Sequence, residues 1–216
     1  MSSPFSTIKE VSFDKKDKIL HTAEILFSRH GFEGVTTRML AKEAGVNIAM
    51  LSYYFGSKEK LYQATIHNLI EKRQDNLKSI AFSQLEPLEK IYALVDYYVD
   101  KVFGEEIAYK IFNQELSNEF SKEGCHGILN YIMGNINFMK LILTEGHEQG
   151  VFKKVDLEMT IMTLVSSVNY MNHSSALCQK IFNLNPNKSL FSDESLKKRM
   201  KDHLKELMKA HLTLTI

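Results

Sequence analysis

Apolar residues recur along this chain at helical spacing, and no stretch alternates strictly enough to read as a β-strand. Ile19, Ala23, Leu26 and Phe27 follow i, i+4, i+7, i+8 and make a single buried stripe that Gly31 closes. Phe32 and Val35 are placed to fill the gap beneath the two short helices that follow. Thr36 suits an N-cap, Leu40, Ala41 and Ala44 form the next stripe, and Gly45 stops it. Asn47 can cap a third helix. At about 100° per residue its Ile48, Leu51, Tyr54 and Phe55 fall on one side. Ala49 and Tyr53 point the opposite way, flanked by Met50 and Ser52. Gly56-Ser57 breaks the chain, and Ser57 caps a helix that the pattern carries through Leu61, Ile66, Leu69 and Ile70 to Leu77.

The remainder continues in the same manner. Pro87 suits the first turn of a helix reading Leu88, Ile91, Val95, Tyr98, Val99, Val102 and Phe103, interrupted at Gly104. A helix from about 107 to 120 follows, then a break over Gly124–Gly127, then a longer helix from Ile128 to Gly150. Residues 156–182 read as one long helix containing Ser166, Ser167, Ser174, Ser175 and Ala176. Asn183–Asn187 make a loop. Ser192-Asp193 then start a last helix with Leu196, Met200, Leu204, Leu207, Met208 and Leu212 on one side. The chain is therefore expected to be all-α. A three-helix unit over 1–60, with 1–13 a loose arm, precedes a larger helical body over 61–216.

Two short helices joined by a glycine turn, Thr36 to Phe55, fit a helix-turn-helix whose second helix enters a DNA major groove. Spacing alone leaves a plain helical hairpin equally open. The residues decide between them. Ala23, Leu26, Phe27 and Gly31 are followed by Thr36-Thr37, Leu40-Ala41 and Ala44-Gly45-Val46. Leu51, Tyr53-Tyr54-Phe55, Ser57-Lys58-Glu59 and Leu61 complete a long pattern with fixed spacing. The segment Ile19–Leu61 so resembles the DNA-binding domain of the TetR (tetracycline repressor) family. More weakly, Glu145–Asp156 resembles a turn found late in such chains. The resemblance implies an N-terminal helix-turn-helix domain and a larger helical domain for ligand binding and dimerisation. It implies a homodimer that reads a palindromic double-stranded operator, most often as a repressor. A helical adaptor that binds only protein, without a small-molecule switch, is the alternative.

Composition adds constraint rather than direction. The net charge of +1 does not advertise nucleic acid. Residues 1–60 hold nine Lys and Arg against seven Asp and Glu, which is +2, and the remainder holds 18 against 19, which is −1. Any attraction to DNA must come from local placement. Cys125 and Cys178 form no CxxC pair and are expected to be reduced thiols in a cytoplasmic protein. The start lacks the apolar run of a signal peptide, and no run reaches the length of a membrane span. The eight histidines show no HExxH or other tight ligand spacing, and there is no P-loop, GxSxG or GxGxxG. No enzyme, metal or cofactor is expected.

Family contact positions map here to Thr37, Arg38, Asn47, Ala49, Met50, Ser52, Tyr53, Tyr54 and Lys58. Arg38 can grip a guanine edge or a phosphate, and Ala49 and Met50 can meet thymine methyls. The tyrosine hydroxyls and Lys58 are better suited to phosphates. Many relatives carry small polar residues and a tyrosine where this chain has Ala49, Met50 and Ser52, so apolar contact and DNA shape should matter more. For the body, Tyr92, Tyr98, Tyr109, Phe112, Tyr131, Phe138, Asn169, Asn172 and His173 are the candidate pocket lining for an apolar or aromatic small molecule. Met171, Ser174, Leu196, Met200, Leu204 and Leu207 are the candidate dimer contacts, on the two last helices.

Overall fold

The computed structural model describes residues 15–73, 76–118 and 122–213, with the side chains of 76, 118 and 122–125 outside the description. The expected loose arm 1–13, Asp14, Phe120 and the Cys125 thiol therefore lie outside the described residues. Contacts divide the chain between Thr65 and Ile66.

The first unit is built from α1 (Lys15–Gly34), α2 (Thr37–Ala44), α3 (Ile48–Phe55) and the beginning of α4 (Lys58–Glu71). Gly31 leaves helical geometry at φ 67°, so α1 is kinked where the sequence placed its end. Ile19, Ala23, Phe27, Val35, Leu40 and Ala44 are fully buried. Phe27, Phe32 and Tyr62 pack as a trio, with the Tyr62 ring 4.8 Å from Phe27 and 5.0 Å from Phe32.

In the second unit, α4 ends at Glu71 and α5 runs Asn76–Ala81. The single helix expected to Leu77 is thus two. After Leu69 and Ile70 the chain offers no large apolar side chain until Leu77. The Arg73 guanidinium folds back to donate to the Leu69 carbonyl, closing the helix end. α6 (Pro87–Gly104) is the central helix, with α7 (Glu106–Asn118), α8 (Lys122–Glu148) and α9 (Leu157–His173) around it. α10 (Ser175–Ile181), a short 3-10 turn at Leu190–Ser192 and α11 (Glu194–Leu212) complete the unit.

α6 buries Ile91, Leu94, Val95, Tyr98, Val99 and Val102. Along its face toward α11, Asp96 and Asp100 meet Lys197 (2.9 Å), Lys201 (2.8 Å) and Lys205 (2.6 Å). Burial works against the Asp100 charge, but hydrogen bonds from Lys201 and Lys197 outweigh it and hold the carboxyl below its ordinary value. At the other end of α6, buried Lys90 reaches Glu145 at 2.7 Å.

Two more expectations are corrected. Gly124–Gly127 is no break, because α8 runs straight through it. A glycine costs a helix interior only about 1 kcal/mol, which packing can offset. Residues 156–182 do not form one helix. The chain leaves helical geometry at Ser174 (φ −128°, ψ 45°), where Ser174-Ser175-Ala176 offer no large apolar group to bury. After α8, the Phe152 ring folds back over Gly146, where a Cβ would lie 2.1 Å from it. Only glycine permits that approach. No helix among the described residues is long and apolar enough to cross a membrane.

Candidate nucleic-acid interface

α2 and α3 are short helices fixed at both ends by their own sequence. Thr36 Oγ1 accepts from the Met39 amide at 3.2 Å, and Asn47 Oδ1 accepts from the Met50 amide at 2.8 Å. Gly45 takes φ 65° and sends its N–H back to the carbonyls of Ala41 and Lys42, so only three residues separate the end of α2 from the start of α3. Leu51 and Phe55 anchor α3 from beneath.

The opposite side of α3 is open to solvent. Ala49, Ser52 and Tyr53 are exposed, Tyr53 at 84% of its surface, and Thr37 and Arg38 of α2 are exposed as well. A single exposed aromatic is ordinary on a protein surface, but this one stands on a helix whose inner side is already spent on Leu51 and Phe55. Tyr53 and Tyr54 pack edge to face at 5.3 Å, with Tyr54 half-buried. α3 itself carries no charged residue, so the positive charge of this unit comes from elsewhere. Lys18, Arg38, Lys42 and Lys60 are exposed, and the Lys18 ammonium lies 3.5 Å from where a Cβ on Gly45 would be.

Three expectations for this unit need revision. Ile48, expected on the inner side of α3, is 46% exposed, because the first residue of the helix overhangs the core that Leu51 and Phe55 fill. The Asn47 carbonyl oxygen is committed to its cap, which leaves only its amide nitrogen to a partner. Lys58 is half-buried; its ammonium donates to the Phe32 carbonyl at 3.1 Å and sits 4.0 Å from the Phe32 ring centroid. It closes the end of α1 rather than reaching out. Nothing in the local sequence announces a contact made across 26 residues.

The second unit gathers part of the expected pocket lining. Tyr98 and Tyr109 pack edge to face at 6.5 Å, and Phe112 and Tyr131 lie 6.0 Å apart. The Tyr98 hydroxyl hydrogen-bonds Asn169, and that of Tyr97 hydrogen-bonds Tyr131. Burial pushes the Tyr97, Tyr98 and Tyr109 hydroxyls above the ordinary phenol value, so all three stay protonated. Arg73 and Glu105 join this cluster unforeseen. They approach to 2.5 Å as a charge contact without hydrogen-bond alignment, and the guanidinium lies 5.8 Å from the Phe112 ring.

Other expected lining residues go elsewhere. Tyr92 lies under Lys205 on the α11 side of α6, Phe138 pairs with Phe82 at 6.2 Å, and His173 is exposed. Asn172 is buried one turn along α9 from Asn169. Among the expected dimer contacts, Met171, Leu196 and Leu204 are spent on the unit's own core. Met200 is partly buried against it, Ser174 is half-buried, and Leu207 is exposed. The open apolar surface of the last helices is instead Met159, Met162, Tyr170, Leu177, Ile181 and Leu207. Met159, Thr160, Thr163, Leu207 and His211 line a groove between α9 and α11. Periodicity identified these helices but not which side each turns inward.

Residues 19–65 match the family model of bacterial regulatory proteins of the tetR family. The probable HTH-type transcriptional regulator YttP of Bacillus subtilis is 27% identical over 159 residues, covering 70% of this chain and 73% of that one. The biofilm operon icaADBC HTH-type negative transcriptional regulator IcaR of Staphylococcus aureus is 26% identical over 181 residues, covering 83% and 94%. The ketosteroid transcriptional regulator KstR2 of Mycobacterium tuberculosis shares the fold, with a TM-score of 0.74 over 94% of this chain and 96% of that one at 16% identity.

Proposed function

We propose that this chain, a transcriptional regulator of the tetR family and not an enzyme, represses transcription by binding a palindromic operator as a homodimer. The observation that carries the reading is the exposed face of α3, where Ser52 and Tyr53 are open to solvent and Ser52 lines one hollow with Thr37 of α2, while Arg38 of α2 is exposed as well. Base reading is assigned to Arg38, Ala49, Met50 and Ser52, and phosphate holding to Tyr53, Thr37 and the exposed lysines.

A second copy is needed for two half-sites about one helical turn apart. The α9–α11 groove lined by Met159 and Leu207, together with the exposed Met162 of α9, offers an apolar surface for it. An apolar or aromatic small molecule enclosed by the tyrosine cluster would release DNA if it prefers a conformation that mismatches the half-sites. α4, which belongs to both units in sequence, is the assigned lever.

The test is fluorescence anisotropy with the DNA upstream of the chain's own operon. Arg38→Ala should weaken that site by about 1–3 kcal/mol while leaving random DNA nearly unaffected. Equal loss on both sequences, or no loss, removes Arg38 as a base reader. Light scattering should give close to twice the 24.9 kDa chain mass, and Met162→Glu should halve it. A wild-type monomer would end the palindromic reading.

A further inference from the structure

We propose that the tyrosine cluster of the second unit takes an uncharged ring compound bearing a lactam-like edge, an N–H beside a C=O, which pairs with the Asn172 carboxamide. The inference rests on the reading above of a small-molecule-responsive regulator and gives its ligand a chemical class.

Asn172 is 8% exposed, yet neither its Oδ1 nor its Nδ2 has a hydrogen-bond partner among the described residues. Asn169 Oδ1, on the same face of α9, is likewise buried and unpaired. Buried polar atoms are nearly always paired, because water is lost and nothing replaces it. Three such atoms within one turn of one helix are an exception that calls for a partner from outside the chain. The outer edge of a carboxamide offers a donor beside an acceptor. Its complement is an acceptor beside a donor, whichever way the amide is turned. Asn169 Oδ1 accepts one further donor.

The surroundings set the rest of the chemistry. Tyr98, Tyr109, Phe112 and Tyr131 come from three helices and suit a flat ring better than a flexible chain. The charges at this cluster already face one another, with Arg73 and Lys101 both against Glu105. A carboxylate or ammonium ligand would therefore be buried without a counter-charge.

The experiment compares three probes of similar size by titration calorimetry: 2-quinolinone, its O-methylated analogue 2-methoxyquinoline, and 2-naphthoate. The first has the edge, the second lacks the donor and the third is an anion. Wild type should bind 2-quinolinone at least about tenfold more tightly than the other two. N172L and N172A should abolish that preference. Ligand-free N172L should melt no lower than wild type, because the amide it loses had no partner. Equal affinity for the three probes, absence of 2-quinolinone binding, a preference that survives both variants, or a lower melting temperature for ligand-free N172L would each overturn the proposal. Gel shifts separate the two layers. Naphthoate that binds and releases DNA leaves the ligand-responsive reading standing and sinks the lactam edge. Quinolinone that binds as expected without releasing DNA does the reverse.

Discussion

Replacing Lys58 by methionine separates two roles that one side chain cannot hold together. Methionine keeps the apolar stem but removes the ammonium, which donates to the Phe32 carbonyl at 3.1 Å and sits 4.0 Å from the Phe32 ring centroid. A hydrogen bond from a charged donor contributes about 1.5 kcal/mol at the lower end of its range, fitting for a half-buried group. The cation–π contact adds about 0.5–1 kcal/mol. Lys58→Met should therefore destabilise the first unit by about 2 kcal/mol, or roughly 10 °C in its melting temperature for a unit of this size. Urea unfolding followed by tyrosine fluorescence can measure this, since the chain has no tryptophan. The same variant, titrated onto operator DNA over a range of salt, should keep the wild-type salt slope. A lysine that neutralises one phosphate would instead lower the slope by about 0.9. Unchanged stability together with a slope lower by that amount would refute the structural role of Lys58 and return it to the DNA face.

Gly146→Ala places a Cβ 2.1 Å from the Phe152 ring and should cost about 3 kcal/mol by denaturant unfolding; Phe152→Leu in the same chain should recover part of it. The Asp100 carboxyl is held below its ordinary value, so its contribution is present above about pH 4 and lost as the pH falls further. Asp100 is half exposed, so the effect should stay within about 1 kcal/mol. Urea midpoints from neutral pH down to about pH 3 should fall less for Asp100→Asn than for wild type, and equal falls would show that the Asp100 carboxylate contributes nothing through its lysines.

The helix-turn-helix was legible because every signal that defines it is local. Thr36 and Asn47 cap the helix each precedes, Gly45 supplies the one left-handed residue the turn needs, and Leu51 and Phe55 repeat at the spacing of the helix they anchor. The all-helical body was legible for the same reason, since apolar periodicity over many turns outweighs any single residue. Element ends were less so. Gly124 and Gly127 read as breakers but lie inside α8, while Ser174, a weaker signal, is where α9 stops. A glycine's intrinsic cost is about 1 kcal/mol, and whether neighbouring packing exceeds it is not written in the local sequence. What tertiary structure alone decided was the pairing of groups far apart in the chain. Lys58 with Phe32, Arg73 with Glu105, Tyr98 with Asn169, and the lysines of α11 with Asp96 and Asp100 each join helices whose separate patterns allow many partners. It also divided the apolar residues of the last helices, turning Met171 and Leu204 inward and leaving Met159 and Met162 open. Periodicity fixes which residues share a face of a helix, but the rotation of that face comes from the neighbours packed against it.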